Sequence, residues 1–209
     1  ILGSVGMMIR GEGRSLFYTG DVNLDDQTLS RAASFPEEPL DVLVMETTRG
    51  DQPLAEGFSR DAEEARLGAA IAEVFERGGA VLIPVFALGK TQELLAMLIR
   101  MRERKVLPEG FPLYIGGLST KLTEIYDDLS GQWPRHRPEL KLLETAEPFV
   151  IGGREIGHLP LKGRRVYALT SGMMTEHTLS NLFAGRLLAD PAHAVFFIGY
   201  ADPDSPGGR

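Results

Sequence analysis

An α/β fold with a mainly parallel sheet flanked by helices is the architecture this sequence predicts, and two observations predict it. Short apolar, β-branched runs alternate along the chain with longer segments of helical periodicity that carry cap residues at their starts. Loops rich in glycine, serine and lysine follow several of the apolar runs, which is where open parallel sheets place their ligands.

The first run, Arg14 to Tyr18, reads as a strand, and Gly20 permits the sharp turn that points Asp21 out of the strand's end. A second run, Asp41 to Met45, ends on Glu46 in the same manner. Two carboxylates leaving two strand ends suggest metal or acid-base chemistry. Ser59 as N-cap, followed by Asp61, Glu63 and Glu64, opens a helix to Arg77 with Leu67, Ala70, Ile71, Val74 and Phe75 as its apolar stripe. Gly78 and Gly79 end it before a strand over Ala80 to Pro84. Gly89 to Lys105 reads as the next helix, Pro112 to Ile115 as a short strand, and Leu118 to Leu129 as a helix opened by Ser119 and Thr120. Trp133 to Pro138 is rich in breakers, and the stretch from there to Glu147 receives no element. Phe149 to Ile151 and Arg165 to Thr170 read as strands, Thr175 to Leu188 as a helix, and Ala194 to Gly199 as a final buried strand.

Composition sets bounds. With 209 residues, 43% hydrophobic and 24% charged, the chain has enough apolar material for one or two packed units. No apolar run approaches the roughly 20 residues of a membrane span, so no membrane partner is expected. The opening Ile1-Leu2-Gly3-Ser4 has neither a basic head nor an initiator methionine, and Ile1 reads as an interior cut point. Zero cysteines exclude a disulfide framework and a thiolate metal site, and a cytoplasmic location is the expectation. A net charge of −7 argues against a broad basic surface but not against a polyanion, because carboxylates gathered round divalent cations present positive charge once loaded.

Three loops beyond strand ends are candidate phosphate cradles: Val85 to Lys90, Gly116 to Lys121, and Ser171 to Met174. The four histidines, His136, His158, His177 and His193, never fall within two to four residues of one another, so no element presents a chelating pair. Met173 and Met174 read as packing at a helix entrance, because a thioether is a poor partner for hard metal-carboxylate sites. Trp133 is open to two readings, a base-stacking platform or the plug of a hydrophobic gap. The absence of G-x-G-x-x-G and G-x-x-x-x-G-K-[ST] places a stand-alone nucleotide-binding domain last.

These residues resemble the β-CASP branch of the metallo-β-lactamase-fold nucleases, a group that includes the mRNA cleavage-and-polyadenylation endonuclease, its archaeal relatives and ribonuclease J. Tyr18-Thr19-Gly20-Asp21 is similar to the family's strand-end metal aspartate, and Met45 to Gly50 to its "E-S/T-T-Y-G" segment. Val81 to Glu93 is similar to its "I-P-x-F-A-x-G-R-x-Q-E", the most specific match. Leu169 to Met174 is similar to its "A-S-P-G-M" loop, and Ile198 to Asp202 to its "x-G-Y" strand end.

The resemblance implies a β-CASP domain over residues 51–209, preceded by a remnant of the metallo-β-lactamase αββα domain over residues 1–50. It implies a parent enzyme with two zinc ions and single-stranded RNA as substrate, and it leaves homodimerisation open. Asp21 would be a zinc ligand, and Glu46 would orient a general-acid histidine that lies beyond Arg209. Ser171 and the amides near Gly172 would contact substrate phosphate. Ser119 and Lys121 would do so too, with a helix cap and a solvated lysine as the plain alternatives. Lys90 would contact substrate or neutralise Glu93, and Glu46 has an ion pair with Arg49 as its plain alternative. The family's H-x-H-x-D-H run is expected ahead of Ile1, with a histidine immediately before it, so the 209 residues alone are expected to be inactive. A scaffold that has lost its metal ligands and a DNA-processing relative are the competing readings.

Overall fold

The computed structural model describes residues 1–48 and 50–209. Arg49, named above as a partner for Glu46, lies outside the described residues.

The chain opens with a small three-stranded sheet. Strands β1 (Met7–Gly11) and β2 (Arg14–Tyr18) form an antiparallel hairpin, and β3 (Val42–Val44) joins β2 in parallel, Phe17 opposite Leu43. The strand at Met7–Gly11 has no counterpart among the elements expected from the sequence. Its turn nevertheless has a clear cause: Glu12 and Gly13 both have positive φ, 50° and 74°, the pairing that matches the twist of a two-residue hairpin.

The main sheet has the order β6-β5-β7-β4-β8, with every pairing parallel. It comprises β4 (Ala80–Pro84), β5 (Leu113–Gly116), β6 (Phe149–Ile151), β7 (Arg165–Leu169) and β8 (Ala194–Val195). Helices α1 (Arg60–Glu76), α2 (Lys90–Glu103), α3 (Gly117–Asp128), α4 (Leu142–Ala146) and α5 (Leu179–Leu187) flank it. Side chains alternate across the two central strands. Val81, Ile83, Val166 and Ala168 join the core with Ile71, Val74 and Phe75 of α1 and Leu94, Leu95 and Leu98 of α2. Ala80, Leu82, Tyr167 and Leu169 face the other way, onto Phe183, Ala184 and Leu187 of α5. On that second face Phe149, Tyr114, Tyr167 and Phe183 make a run of ring contacts with centroids 5.2, 4.7 and 4.3 Å apart. The expected α/β class with a parallel sheet between helices is what the structure has.

Ser59 caps α1, its hydroxyl accepting from the Ala62 amide at 3.4 Å, and Gly78 leaves the helix at φ +74°. Helix α4 stands in the stretch before Glu147 that received no element, and among the element boundaries that differ from those expected, three have a clear cause. Helix α5 begins at Leu179 and not Thr175, because Met174 and His177 adopt positive φ, 51° and 65°, which no continuous helix tolerates. Strand β8 is two residues long and half-buried, since it lies at the sheet edge with β4 as its partner; pairing persists as far as the Phe196 amide, which donates to Leu82 O. Helix α3 starts directly from β5 with extended Gly116 as its N-cap, so Ser119 sits inside the first turn and does not cap it.

Candidate functional site

Parallel pairing puts the loops after β4, β5 and β7 at the same edge of the main sheet, and the residues after β2 share a cavity with the start of α2. After β4 the chain runs through Phe86 to Gly89, whose φ of 77° makes the turn into α2. Gln92 fixes that turn: its Oε1 accepts from the Gly89 amide at 2.6 Å while its Nε2 donates to Ala87 O and Thr123 Oγ1. Lys90 is thereby placed, exposed, at the helix entrance.

Lys90 borders two recesses. A small cleft is lined by Pro84, Val85, Phe86, Lys90, Gly172 and Gly199. A larger cavity of about 620 Å³ is lined by Lys90, Glu93, Asp21, Asn23, Arg31 and Trp133 among others. The sequence-named residues Lys90 and Gly172 therefore meet in the first, and Lys90 and Asp21 in the second. Gly172 lies close against the β4 loop, where a Cβ would come within 2.7 Å of Phe86 Cδ2 and 3.1 Å of the Phe86 amide nitrogen. Next to it the Ser171 hydroxyl accepts from the Thr175 amide at 2.9 Å and donates to Thr175 Oγ1 at 3.1 Å.

Asp21 is exposed and, among the described residues, takes no hydrogen bond or ion pair. Glu46 stands one strand away. Its Oε2 accepts from the Thr48 amide at 2.9 Å and its Oε1 from the Val22 amide at 3.4 Å, which ties the β3 end to the loop that carries Asp21. Hydrogen bonds from Thr48, side chain first and then backbone, and from the Val22 amide hold the Glu46 carboxyl below its ordinary value. Ser119 and Lys121 line neither recess. Ser119 is fully buried, its hydroxyl 3.2 Å from Thr91 Oγ1, and Lys121 is exposed on α3.

Glu93 enters the sequence reading as the last residue of the Val81 to Glu93 segment and as a charge partner for Lys90. The structure gives it a different connection. Glu93 is 5% exposed, and its two oxygens accept from the consecutive backbone amides of Leu29 and Ser30, each at 2.9 Å, with Arg60 at 3.8 Å. It clamps the segment after Asp21 onto α2. A polar run, Thr91, Gln92 and Glu93, opening a helix whose middle, Leu94 to Ile99, is apolar is the signal that could have found it.

A zinc centre in proteins takes three or four donors. Among the described residues no three His, Cys, Asp or Glu side chains come together. A lone exposed Asp21 does not amount to the two-zinc centre that the resemblance implies.

Residues 91–209 match the family profile described as the Beta-Casp domain. The chain is 35% identical to an "RNase J-like protein" of Methanocaldococcus jannaschii over 96% of its own length and 47% of that protein's. It is 30% identical to "RNase aCSPSF2" of Saccharolobus solfataricus over 99% of this chain and 40% of the relative. It is 29% identical to "Cleavage and polyadenylation specificity factor 73" of Drosophila melanogaster over 96% of this chain and 29% of the relative. The chain thus spans less than half the length of each of these relatives. With more than half of its residues inside the matched domain, and a parallel sheet between helices to go with it, this chain belongs to the β-CASP family of metallo-β-lactamase-fold nucleases.

Proposed function

We propose that the chain is the substrate-facing part of a zinc-dependent ribonuclease that hydrolyses phosphodiester bonds in single-stranded RNA. The observation that carries this reading is the cavity of about 620 Å³ that Asp21, just after β2, and Lys90, at the start of α2, both line. Relatives named as RNases support the substrate class. Residues 1–50 belong in this reading with the lactamase part and residues 51–209 form the β-CASP domain. The separate three-stranded sheet at the N-terminus supports the division.

Asp21 is here a ligand of a zinc centre whose other donors come from the rest of the protein. Glu46, kept ionised by Thr48 and Val22, orients a proton-donating imidazole supplied from outside these residues. Lys90 offers a cation to a phosphate lying between the two recesses, and Gly172, with Ser171 next to it in the chain, offers a further contact at the small cleft. Among the described residues no helix is long and apolar enough to cross a membrane; the cytoplasm, where RNA is met, is the location we assign.

The test compares cleavage of single-stranded RNA and single-stranded DNA by the full-length protein and by the 209 residues alone, with zinc content measured in both. Cleavage of RNA by the former only, abolished by a chelator, is the expected result. Asp21→Ala lowers turnover and zinc content together, turnover by more than about a hundredfold, and Glu46→Gln lowers turnover about ten- to a hundredfold. An Asp21→Ala protein that cleaves RNA at the wild-type rate overturns the reading.

A further inference from the structure

The same cavity carries a feature that the chemistry above does not use. Trp133 lines it, partly exposed, yet its Nε1 is buried without a hydrogen-bond partner among the described residues. The N–H is closed off from solvent while the residue is partly exposed, so what Trp133 shows to the cavity is apolar ring surface, which a flat ligand can cover.

The tryptophan is held firmly in place. The Arg135 backbone pairs with Ser30 in an antiparallel bridge, and the His136 amide donates to Leu29 O at 3.0 Å. Leu29 and Ser30 are the residues whose amides Glu93 holds. Arg135, 1% exposed, donates from Nη2 to Pro138 O and to Leu140 O, which closes the turn that follows. A chain of contacts from α2 through residues 29–30 to 135–136 therefore fixes the backbone next to Trp133 at the cavity wall.

The walls suit a nucleotide. Phe17 and Phe35, in edge contact at 6.2 Å, add apolar surface, and the amide side chains of Asn23 and Gln27 add polar edges. Two acids, Asp21 and Glu93, balance two bases, Arg31 and Lys90, so charge alone does not define what enters. About 620 Å³ is within the range of small-ligand pockets.

We propose that Trp133 is the platform of a nucleobase subsite in the cavity that Asp21 also lines. One base of single-stranded RNA stacks on the exposed surface of the indole. This rests on the ribonuclease reading for the substrate class, and it deepens that reading by naming what holds the strand in the cavity shared with Asp21.

The test uses the full-length protein freed of metal by a chelator, so that binding is read without cleavage. Binding of a dye-labelled phosphorothioate oligouridylate and of a labelled abasic oligomer of equal length and charge is read by fluorescence anisotropy, with tryptophan emission followed in parallel. Trp133 is the chain's single tryptophan, and Trp133→Phe identifies its share of the emission. Saturable binding of the oligouridylate, with quenching of the Trp133 emission, at concentrations about tenfold or more below those the abasic oligomer needs, is the expected result. Trp133→Phe keeps a smaller ring and weakens binding about two- to threefold, and Trp133→Ala removes the platform and weakens it about tenfold or more. Should Trp133→Ala fail to give the wild-type circular dichroism spectrum, the comparison of the two oligomers on the wild-type protein decides.

Equal affinity for the two oligomers, or wild-type affinity in a Trp133→Ala protein that keeps the wild-type circular dichroism spectrum, overturns the proposal. Base-dependent quenching in a protein that cleaves no RNA overturns the ribonuclease reading and leaves the subsite standing. RNA cleavage with unchanged KM in both Trp133 variants does the reverse.

Discussion

Glu46 shows how a side chain's chemistry is set by its immediate donors. Thr48 and the Val22 amide bond the ionised form, so the carboxyl titrates below its ordinary value of 4.5 in the fold. The sign follows from that. Whatever this group adds to stability is fully present above its unfolded value and is lost as pH falls through the lower, folded one. Thr48→Val removes the hydroxyl's share and is expected to move the midpoint back up. Carboxyl chemical shifts followed through a pH titration measure it, and an unmoved midpoint refutes the assigned cause. Glu93 acts through geometry. Glu93→Ala strands two buried amides, at Leu29 and Ser30, and is expected to cost about 2–4 kcal/mol in a denaturant titration. It should also speed exchange of those two amides in particular. Wild-type protection at Leu29 and Ser30 in that variant is incompatible with the clamp. The Thr48 partner of Glu46 is local, but the Val22 amide and the Leu29 and Ser30 amides that Glu93 holds belong to segments distant in sequence, so a sequence flags the acids and not what they bind.

Among the elements, β4 and β7 were legible because both faces of each are buried and continuous apolar runs in parallel strands are their direct consequence. Helix α1 was equally plain, its Ser59 cap and its stripe being local signals. Helix α5 and β8 were overextended because apolar content continues where the backbone does not: Met174 is buried in the core yet sits at φ 51°, and Phe196 to Ile198 stay apolar past the last ladder pair. Strand β1 was missed because Met7–Gly11 is an exposed edge with no alternation to read. Ser119 was misread as an opener since a serine near a helix start is the usual cap, whereas here Gly116 passes straight from strand to helix. The loop between β7 and α5 offers the sharpest test at this scale. Gly172→Ala sets a methyl against the Phe86 ring and amide nitrogen; the ring, 39% exposed, can swing away, but the amide cannot. A destabilisation of about 1–3 kcal/mol is expected, with backbone shifts at Phe86 and Ser171 visible by NMR. Unshifted resonances at both positions contradict the close approach of the two loops.

For the molecule as a whole, the two sheets differ in how they are held. β4 is buried at every residue, β7 at four of five, and the helices cover both faces of the sheet they share. In the small sheet, β3 is exposed throughout and β1 nearly so; Phe17 of β2 is the residue there that reaches the buried class. Three short strands with one buried ring have little apolar area to oppose the entropy of opening. The Glu46 bond to Val22 and the Glu93 clamp on residues 29–30 are what tie the segments after β2 to their surroundings. The 209-residue chain is therefore expected to open in two stages. Amides of β1, β2 and β3 exchange by local opening, with protection lower than that of β4 and β7 by at least about two orders of magnitude. Amides of β4 and β7 exchange only with global unfolding. Native-state hydrogen exchange in rising denaturant separates the two, because local opening exposes little surface and barely responds to denaturant, while global unfolding responds steeply. Equal protection in both sheets, with one common denaturant slope, means that the small sheet is an integral part of the main cooperative unit. In that case the Asp21 loop is as rigid as the helix that carries Lys90.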